Sequence, residues 1–262
     1  MKLNVECRGQ GPDLVLLHGW SMHGGMWGPW LDRLASEARL HVVDLPGHGH
    51  SPWTAEASEL AGLADAVVPL VPRGAAVLGW SLGGMVALEL ARRNPRHLRA
   101  LVLVATTPKF LCGPGWEHGL EPAVLDGFAR GFDADWLRTV QGFLALQARG
   151  DEHPASTLRA MRSHVTSRGE PDRRALTAGL EVLRGADLRT ALPQIDLPAV
   201  VIAGAHDGLT PVGAGRALAA GLPRARLRII ERSGHAPFLS HPDQVVAEVR
   251  GLLLRQPQGQ VA

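Results

Sequence analysis

Ser81 stands between two glycines in Gly79-Trp-Ser-Leu-Gly83. An apolar run (Ala75–Leu78) precedes it and a helix-forming run ending at Arg92 follows. Gly-x-Ser-x-Gly in a strand–turn–helix setting is an elbow that holds a serine hydroxyl above a sheet edge. The glycines belong there because strand and helix backbones approach closely and a Cβ would collide. A serine hydroxyl becomes a nucleophile when a base takes its proton and a third group orients that base. Asp207, in Gly204-Ala-His-Asp-Gly-Leu-Thr-Pro211, follows the apolar run Leu197–Ala203. His235, in Ser233-Gly-His-Ala-Pro-Phe238, follows Ala225–Ile230. Nucleophile, acid and histidine in that order, each just beyond a strand, would meet where parallel strands reach their carboxyl ends. The chemistry is acyl transfer, which needs donors for a developing oxyanion. The Leu82 N–H and the Trp20 N–H, in the loop after Leu14–Leu17, are the expected pair. The competing reading of Ser81 alone is a solvated serine in a glycine-rich turn, and of Trp20 alone, core packing.

Other residues compete for the same roles. His206 adjoins Asp207, but neighbours on a turn point apart, which makes it a poor base. His241 opens the last helical run and reads as a structural or capping contact. Asp44, in Asp44-Leu-Pro-Gly-His-Gly-His-Ser51, reads as a turn former held by local hydrogen bonds. Among twelve histidines, the pairs His18 and His23, and His48 and His50, lack a third ligand at recognisable spacing, so no metal and no cofactor is expected.

The elements that must carry these residues follow from short apolar runs alternating with helical spacing, which imply an α/β fold with a mostly parallel sheet. Strands are expected at Leu3–Cys7, Leu14–Leu17, Leu40–Val43, Ala75–Leu78, Leu98–Ala105, Leu197–Ala203 and Ala225–Ile230. Core helices are expected at Trp27–Leu34, Leu60–Val71, Val212–Ala220 and Pro242–Leu254. Between Thr107 and Leu192 the alternation stops, and four helices are read near Pro122–Arg130, Ala134–Ala148, Pro154–Ser167 and Asp172–Arg184. The domain reading is therefore a core of residues 1–106 and 193–262 with a helical cap at 107–192. Gln256–Ala262 is expected to fray.

The chain has 262 residues, enough for one large domain. A net charge of +2 with no basic tail gives no reason to invoke nucleic acid. No apolar run reaches the ~20 residues of a membrane helix, and charge appears too early for a signal-peptide core. A monomeric cytoplasmic protein is the expectation. Cys7 and Cys112 are too few for a metal cluster.

Taken together, His18-Gly-Trp20, Asp44–Ser51, Gly79–Gly83, Asp207 and Ser233-Gly-His235 resemble the α/β-hydrolase superfamily along the whole chain. More narrowly the chain resembles the family of pimeloyl-[acyl-carrier protein] methyl ester esterases of biotin synthesis. The pointers are Leu16–Trp20, Leu78–Gly84, Arg138-Thr-Val-Gln-Gly-Phe-Leu-Ala-Leu-Gln147, Gly179–Leu183 with Asp187-Leu-Arg189, and His235–Pro242. The resemblance implies a serine carboxylesterase that releases methanol from a carrier-bound pimeloyl ester. Phe143 and Gln147 would line the acyl channel, and Trp20, Ser81, Leu82 and His235 would sit at its reactive end. Arg138 and Arg159, with Arg149 and Arg162, would face the acidic carrier protein. A helix carrying Arg159, Arg162 and Arg168 would steer such a partner, although a solvated arginine face accounts for the same charges. Gly142 departs from the basic residue that would strengthen that surface. The other readings are a broad short-chain carboxylesterase, a carbon–carbon bond hydrolase, and a non-catalytic hydrolase-fold binding protein.

Overall fold

Apolar runs of five or six residues become strands buried on both faces when helices cover the sheet, and the burial of β4 (Ala75–Trp80) and β6 (Ala199–Gly204) at every position shows this. The computed structural model describes residues 2–253, with backbone only at 133 and 134. The other strands are β1 (Val5–Arg8), β2 (Asp13–Leu17), β3 (Arg39–Val43), β5 (Leu98–Val104) and β7 (Ala225–Ile230). They form one seven-stranded sheet in the order β1-β3-β2-β4-β5-β6-β7. Among the described strands of this sheet, β1–β3 is antiparallel and the other pairings are parallel. The α/β-hydrolase fold is therefore the observed one.

The helices are α1 (Trp30–Ala35), α2 (Leu60–Val67), α3 (Leu82–Arg93), α4 (Pro122–Ala134), α5 (Trp136–Ala148), α6 (Pro154–His164), α7 (Arg173–Gly185), α8 (Val212–Gly221), α9 (Pro237–Ser240) and α10 (Pro242–Leu253). α4–α7 fall between β5 and β6 in sequence. Their apolar stripes are buried: on α5 the buried residues include Trp136, Val140, Phe143 and Gln147, while Arg138, Gly142, Ala145 and Arg149 face solvent. Steps of three and four put those two sets on opposite sides of a helix.

Boundaries depart from the sequence reading where proline or glycine intervenes. The helix expected over Trp27–Leu34 is broken by Gly28, at φ 76°, and Pro29. A 3-10 turn (Gly24–Trp27) precedes the break and α1 follows it. α2 stops at Val67 and tightens into a 3-10 turn containing Pro69. β6 starts at Ala199 because Pro198 has no N–H to give; its carbonyl accepts from the Leu101 N–H at 2.9 Å. The first strand is shifted from Leu3–Cys7 to Val5–Arg8. α6 ends at His164 rather than Ser167, and the short α9 precedes His241. The reading of Gln256–Ala262 lies outside the described residues.

Candidate active site

Ser81 occupies the turn between β4 and α3. Its φ and ψ are 55° and −119°, a region that an L-residue enters only when its surroundings force it. Three contacts do so. The Ser81 N–H donates to Val104 O at 3.0 Å, which ties it to the end of β5. The buried Thr106 hydroxyl donates to Ser81 O at 2.7 Å. The flanking glycines allow α3 to press against the strands: a Cβ on Gly83 would lie 2.2 Å from Leu17 O, and one on Gly79 2.3 Å from Gly83 O. Ser81 is the residue immediately before α3, and while the Gly84 N–H donates to Ser81 O at 2.9 Å, the first helical amide, that of Leu82, has no intrahelical acceptor.

His235 and Asp207 reach the same edge from two other strands. The His235 ring nitrogen Nδ1 is 2.8 Å from Asp207 Oδ2, and both side chains are buried. Asp207 is further held by the Leu209 and Thr210 N–H groups on Oδ1 (2.8 and 3.0 Å) and by the Thr210 hydroxyl on Oδ2 (2.7 Å). With Nδ1 engaged, the other ring nitrogen, Nε2, is buried with no protein partner. The Trp80 indole N–H donates to His235 O at 2.8 Å and so ties the histidine loop to the residue before Ser81. Three loops from β4, β6 and β7 thus meet at one sheet edge.

The loop after β2 completes this edge, because β2 pairs with β4 in parallel and sets Leu17 beside Gly79. A Cβ on Gly19 would sit 3.2 Å from Ser81 Cβ, so glycine is what lets the loop close on the serine. Trp20 follows. Its indole N–H donates to Leu176 O on α7 at 2.8 Å, and its ring meets Phe143 of α5 edge-on at 5.0 Å. α7 has glycine where it crosses: a Cβ on Gly179 would lie 2.6 Å from Trp20 Cδ1. Gln147 accepts the His235 N–H on its backbone oxygen at 3.1 Å. Trp20, Phe143, Gln147, Leu82, Ser81 and His235 therefore form one connected group. Thr106, Thr210 and Asp151 lie outside the residues that the sequence motifs mark. Only Thr210 had a legible signal, as the third residue after an aspartate that starts a turn.

The rival candidates are occupied elsewhere. His206 is exposed, and its Nδ1 lies 3.1 Å from Gly150 O. His241 contacts Ser240 and, at 3.5 Å, Glu152. Asp44 is fully buried and accepts from the Gly24 and His50 N–H groups (2.6 and 3.0 Å), from Asn4 and from Arg168. Burial opposes its charge, but those backbone bonds, together with nearby His18 and the Asn4 amide, hold its carboxyl below the ordinary value. Its partners are thus more distant in sequence than a local turn requires. His18 accepts the Leu45 N–H on Nε2 at 2.9 Å, leaving Nδ1–H for Gly19 O. His23 contacts His164 O at 2.6 Å.

Arg168 corrects one sequence expectation. It lies beyond α6 instead of on it, and its guanidinium bridges Glu6 at 2.6 Å and Asp44 at 3.2 Å with only 14% of the side chain exposed. It is consumed in joining the inserted helices to the core, and it cannot serve an outward-facing surface. Arg138 and Arg149 lie on the exposed side of α5, Arg149 at its cap, and Arg159 and Arg162 on the exposed side of α6. Among the described residues none of these four is in an ion pair, whereas Arg184 and Arg189 are paired with Asp126 and Asp187.

A strained serine at a strand–helix elbow and a buried histidine–aspartate pair at the same edge are the site pattern of the α/β hydrolases. The model of the alpha/beta hydrolase family matches residues 14–249, and the chain belongs to that family. Within it, the chain is similar to proteins named pimeloyl-[acyl-carrier protein] methyl ester esterase. The one from Methylococcus capsulatus is 46% identical over 247 residues, covering 93% of this chain and 95% of the relative. The one from Stenotrophomonas maltophilia is 42% identical over 248 residues, covering 95% of each. An esterase from Exiguobacterium antarcticum, at 23% identity, superposes with a TM-score of 0.87 over 97% of this chain and 96% of its own, a likeness of fold.

Proposed function

We propose that this protein is a serine carboxylesterase that hydrolyses the methyl ester of pimeloyl-[acyl-carrier protein], giving pimeloyl-[acyl-carrier protein] and methanol for biotin synthesis. The reaction rests on one observation above the others. His235 has one ring nitrogen fixed 2.8 Å from a fully satisfied Asp207 carboxylate and the other free, at the edge where Ser81 is held in its strained turn. Near-full-length similarity to esterases of that name supports the substrate.

In this reading His235 Nε2 takes the Ser81 proton as Oγ attacks the ester carbonyl, and Asp207 orients the imidazole and stabilises its cation. The Leu82 and Trp20 amides receive the oxyanion. His235 returns the proton to the departing methoxide, and methanol leaves. Water, deprotonated by the same nitrogen, then releases the acyl group from Ser81. The helical insertion at residues 107–192 acts as a cap. Phe143 and Gln147 line its acyl channel, and Arg138, Arg159, Arg149 and Arg162 present unpaired positive charge to an acidic carrier protein acting in the cytoplasm. Every group the reaction needs comes from one chain, so the monomer is the working unit.

The test is methanol release from carrier-bound pimeloyl methyl ester beside a panel of simple aryl esters. Ser81→Ala is expected to lower turnover at least 10³-fold with an unchanged thermal midpoint, and to fail to restore biotin-independent growth to a strain lacking this esterase. Near-native rates in Ser81→Ala would overturn the mechanism. Turnover of aryl esters alone would overturn the substrate and leave a broad short-chain carboxylesterase.

A further inference from the structure

The end of α5 and the turn that follows it, residues 147–152, grip the histidine loop at its backbone. The His235 N–H donates to Gln147 O at 3.1 Å, and the preceding amide, Gly234 N–H, donates to Asp151 Oδ1 at 2.5 Å. Asp151 is itself buried, and its second oxygen has no protein partner. Glu152 N–H donates to Arg232 O at 2.7 Å, while Arg232, a non-glycine at φ 54°, pairs its guanidinium with the Glu152 carboxylate at 2.7 Å. The approach is too close for any other residue at 234. A Cβ there would lie 2.8 Å from Arg149 O and 2.9 Å from Gln147 O. The same turn touches the aspartate loop, where Gly150 O meets His206 Nδ1 at 3.1 Å.

A buried carboxylate is costly unless hydrogen bonds satisfy it, and the bond that Asp151 accepts comes from Gly234 N–H. This one holds the amide next to the histidine and draws the histidine loop onto the inserted helices. We propose that Asp151 is a positioning residue for the base: through Gly234 it fixes the backbone from which the His235 imidazole projects between Ser81 and Asp207. The inference rests on the assignment of His235 as the base. Its consequence is that the insertion sets the geometry of proton transfer as well as covering the site. Small displacements of a base are costly, because proton transfer depends on hydrogen-bond reach.

The experiment compares Asp151→Ala, Asp151→Asn and His235→Ala with the unaltered enzyme on p-nitrophenyl acetate, a substrate too small to need the acyl channel. Active sites are counted with a fluorophosphonate. In Asp151→Ala, kcat per titrated site is expected to fall about 10- to 100-fold with KM within twofold. The downfield proton resonance of the His235 Nδ1–H bond should broaden or vanish. Asp151→Asn keeps an acceptor oxygen for Gly234 N–H and is expected to restore kcat to within about threefold, with the resonance back. Wild-type kcat per site in Asp151→Ala, a loss that tracks only the folded fraction, or an Asn variant as impaired as the Ala variant would each overturn the proposal. The parent reading fails separately: there His235→Ala would keep its activity.

Discussion

Asp207 receives four polar contacts, and three of them come from its own turn. Two are backbone amides that no substitution at a side chain removes. The third is the Thr210 hydroxyl, which donates to the same oxygen, Oδ2, that faces His235. A second role follows from position: Thr210 Oγ1 also lies 3.4 Å from His235 Nδ1, so it flanks the bond that orients the imidazole. Hydrogen bonds to a charged acceptor are worth about 1.5–3 kcal/mol. Removing this one while keeping the shape, in Thr210→Val, leaves Asp207 anchored but free to rotate about its two remaining amide bonds. kcat is expected to fall about tenfold with little change in KM, and Thr210→Ser to recover most of it. Steady-state kinetics on a soluble ester check this, and equal activity in the valine and wild-type enzymes would remove Thr210 from the site. Thr106 shows a related economy, since its hydroxyl donates to the carbonyl of the strained Ser81 itself.

At the scale of elements, the elbow depends on backbone contact, which separates glycines that look alike in sequence. A Cβ on Gly83 meets Leu17 O at 2.2 Å and His18 O at 2.6 Å, backbone atoms of β2 and its loop that cannot move aside without opening the sheet. Gly127, in the exposed face of α4, has nothing within 4 Å. Gly83→Ala is expected to destabilise by about 1–3 kcal/mol or more and to cut activity by shifting the Leu82 amide. Gly127→Ala is expected to stabilise by about 0.5–1 kcal/mol with activity intact. Urea denaturation with parallel assays tests the pair, and equal destabilisation by both would refute the contact argument. The same distinction explains what sequence could reveal. Ala75–Leu78 and Leu98–Ala105 are apolar because helices cover both faces, so the sheet was legible, as was the order of Ser81, Asp207 and His235 along it. Helix ends at Val67 and before Trp30 were displaced by Pro69 and by Gly28-Pro29, which act locally on φ and on N–H supply. Asp151 and Arg168 were opaque for a different reason. Their partners, Gly234 and Asp44, lie 83 and 124 residues away, and only the packed insertion brings them together.

Over the whole molecule several polar contacts anchor the inserted helices to the core, among them Arg168 with Asp44, Trp20 with Leu176 and Asp151 with Gly234, and a buried imidazole cluster lies beside the first. Arg168 reaches Asp44 at the end of β3, where the rings of His18 and His48 stand 5.3 Å apart. Burial, together with the neighbouring His48, pushes His18 down to about 3, and burial pushes His48 down to about 4. Protonation at His18 Nε2 would destroy the acceptor for Leu45 N–H, so its neutral form is built into the backbone. Burial also holds His23 and His164 below the ordinary value, in the same direction. The sign of the effect on stability follows. The folded pKa values lie below that of an unfolded histidine, ordinarily about 6.5. Between those limits the unfolded chain therefore binds protons that the folded chain refuses. Stability is complete above about pH 6.5 and is lost as pH falls, towards about 4 for His48 and about 3 for His18. His18 and His48 each take about 1.4 kcal/mol per pH unit within that window. Urea midpoints measured from pH 7.5 down to 4.5 are expected to hold to about pH 6.5 and to fall below it, and His48→Gln to flatten the slope by about one histidine's share. The decline should begin near pH 6.5, above the range where ordinary carboxylates titrate. A midpoint constant down to pH 4.5, or an unchanged slope in His48→Gln, would show that the cluster is not the acid-sensitive joint between the insertion and the core.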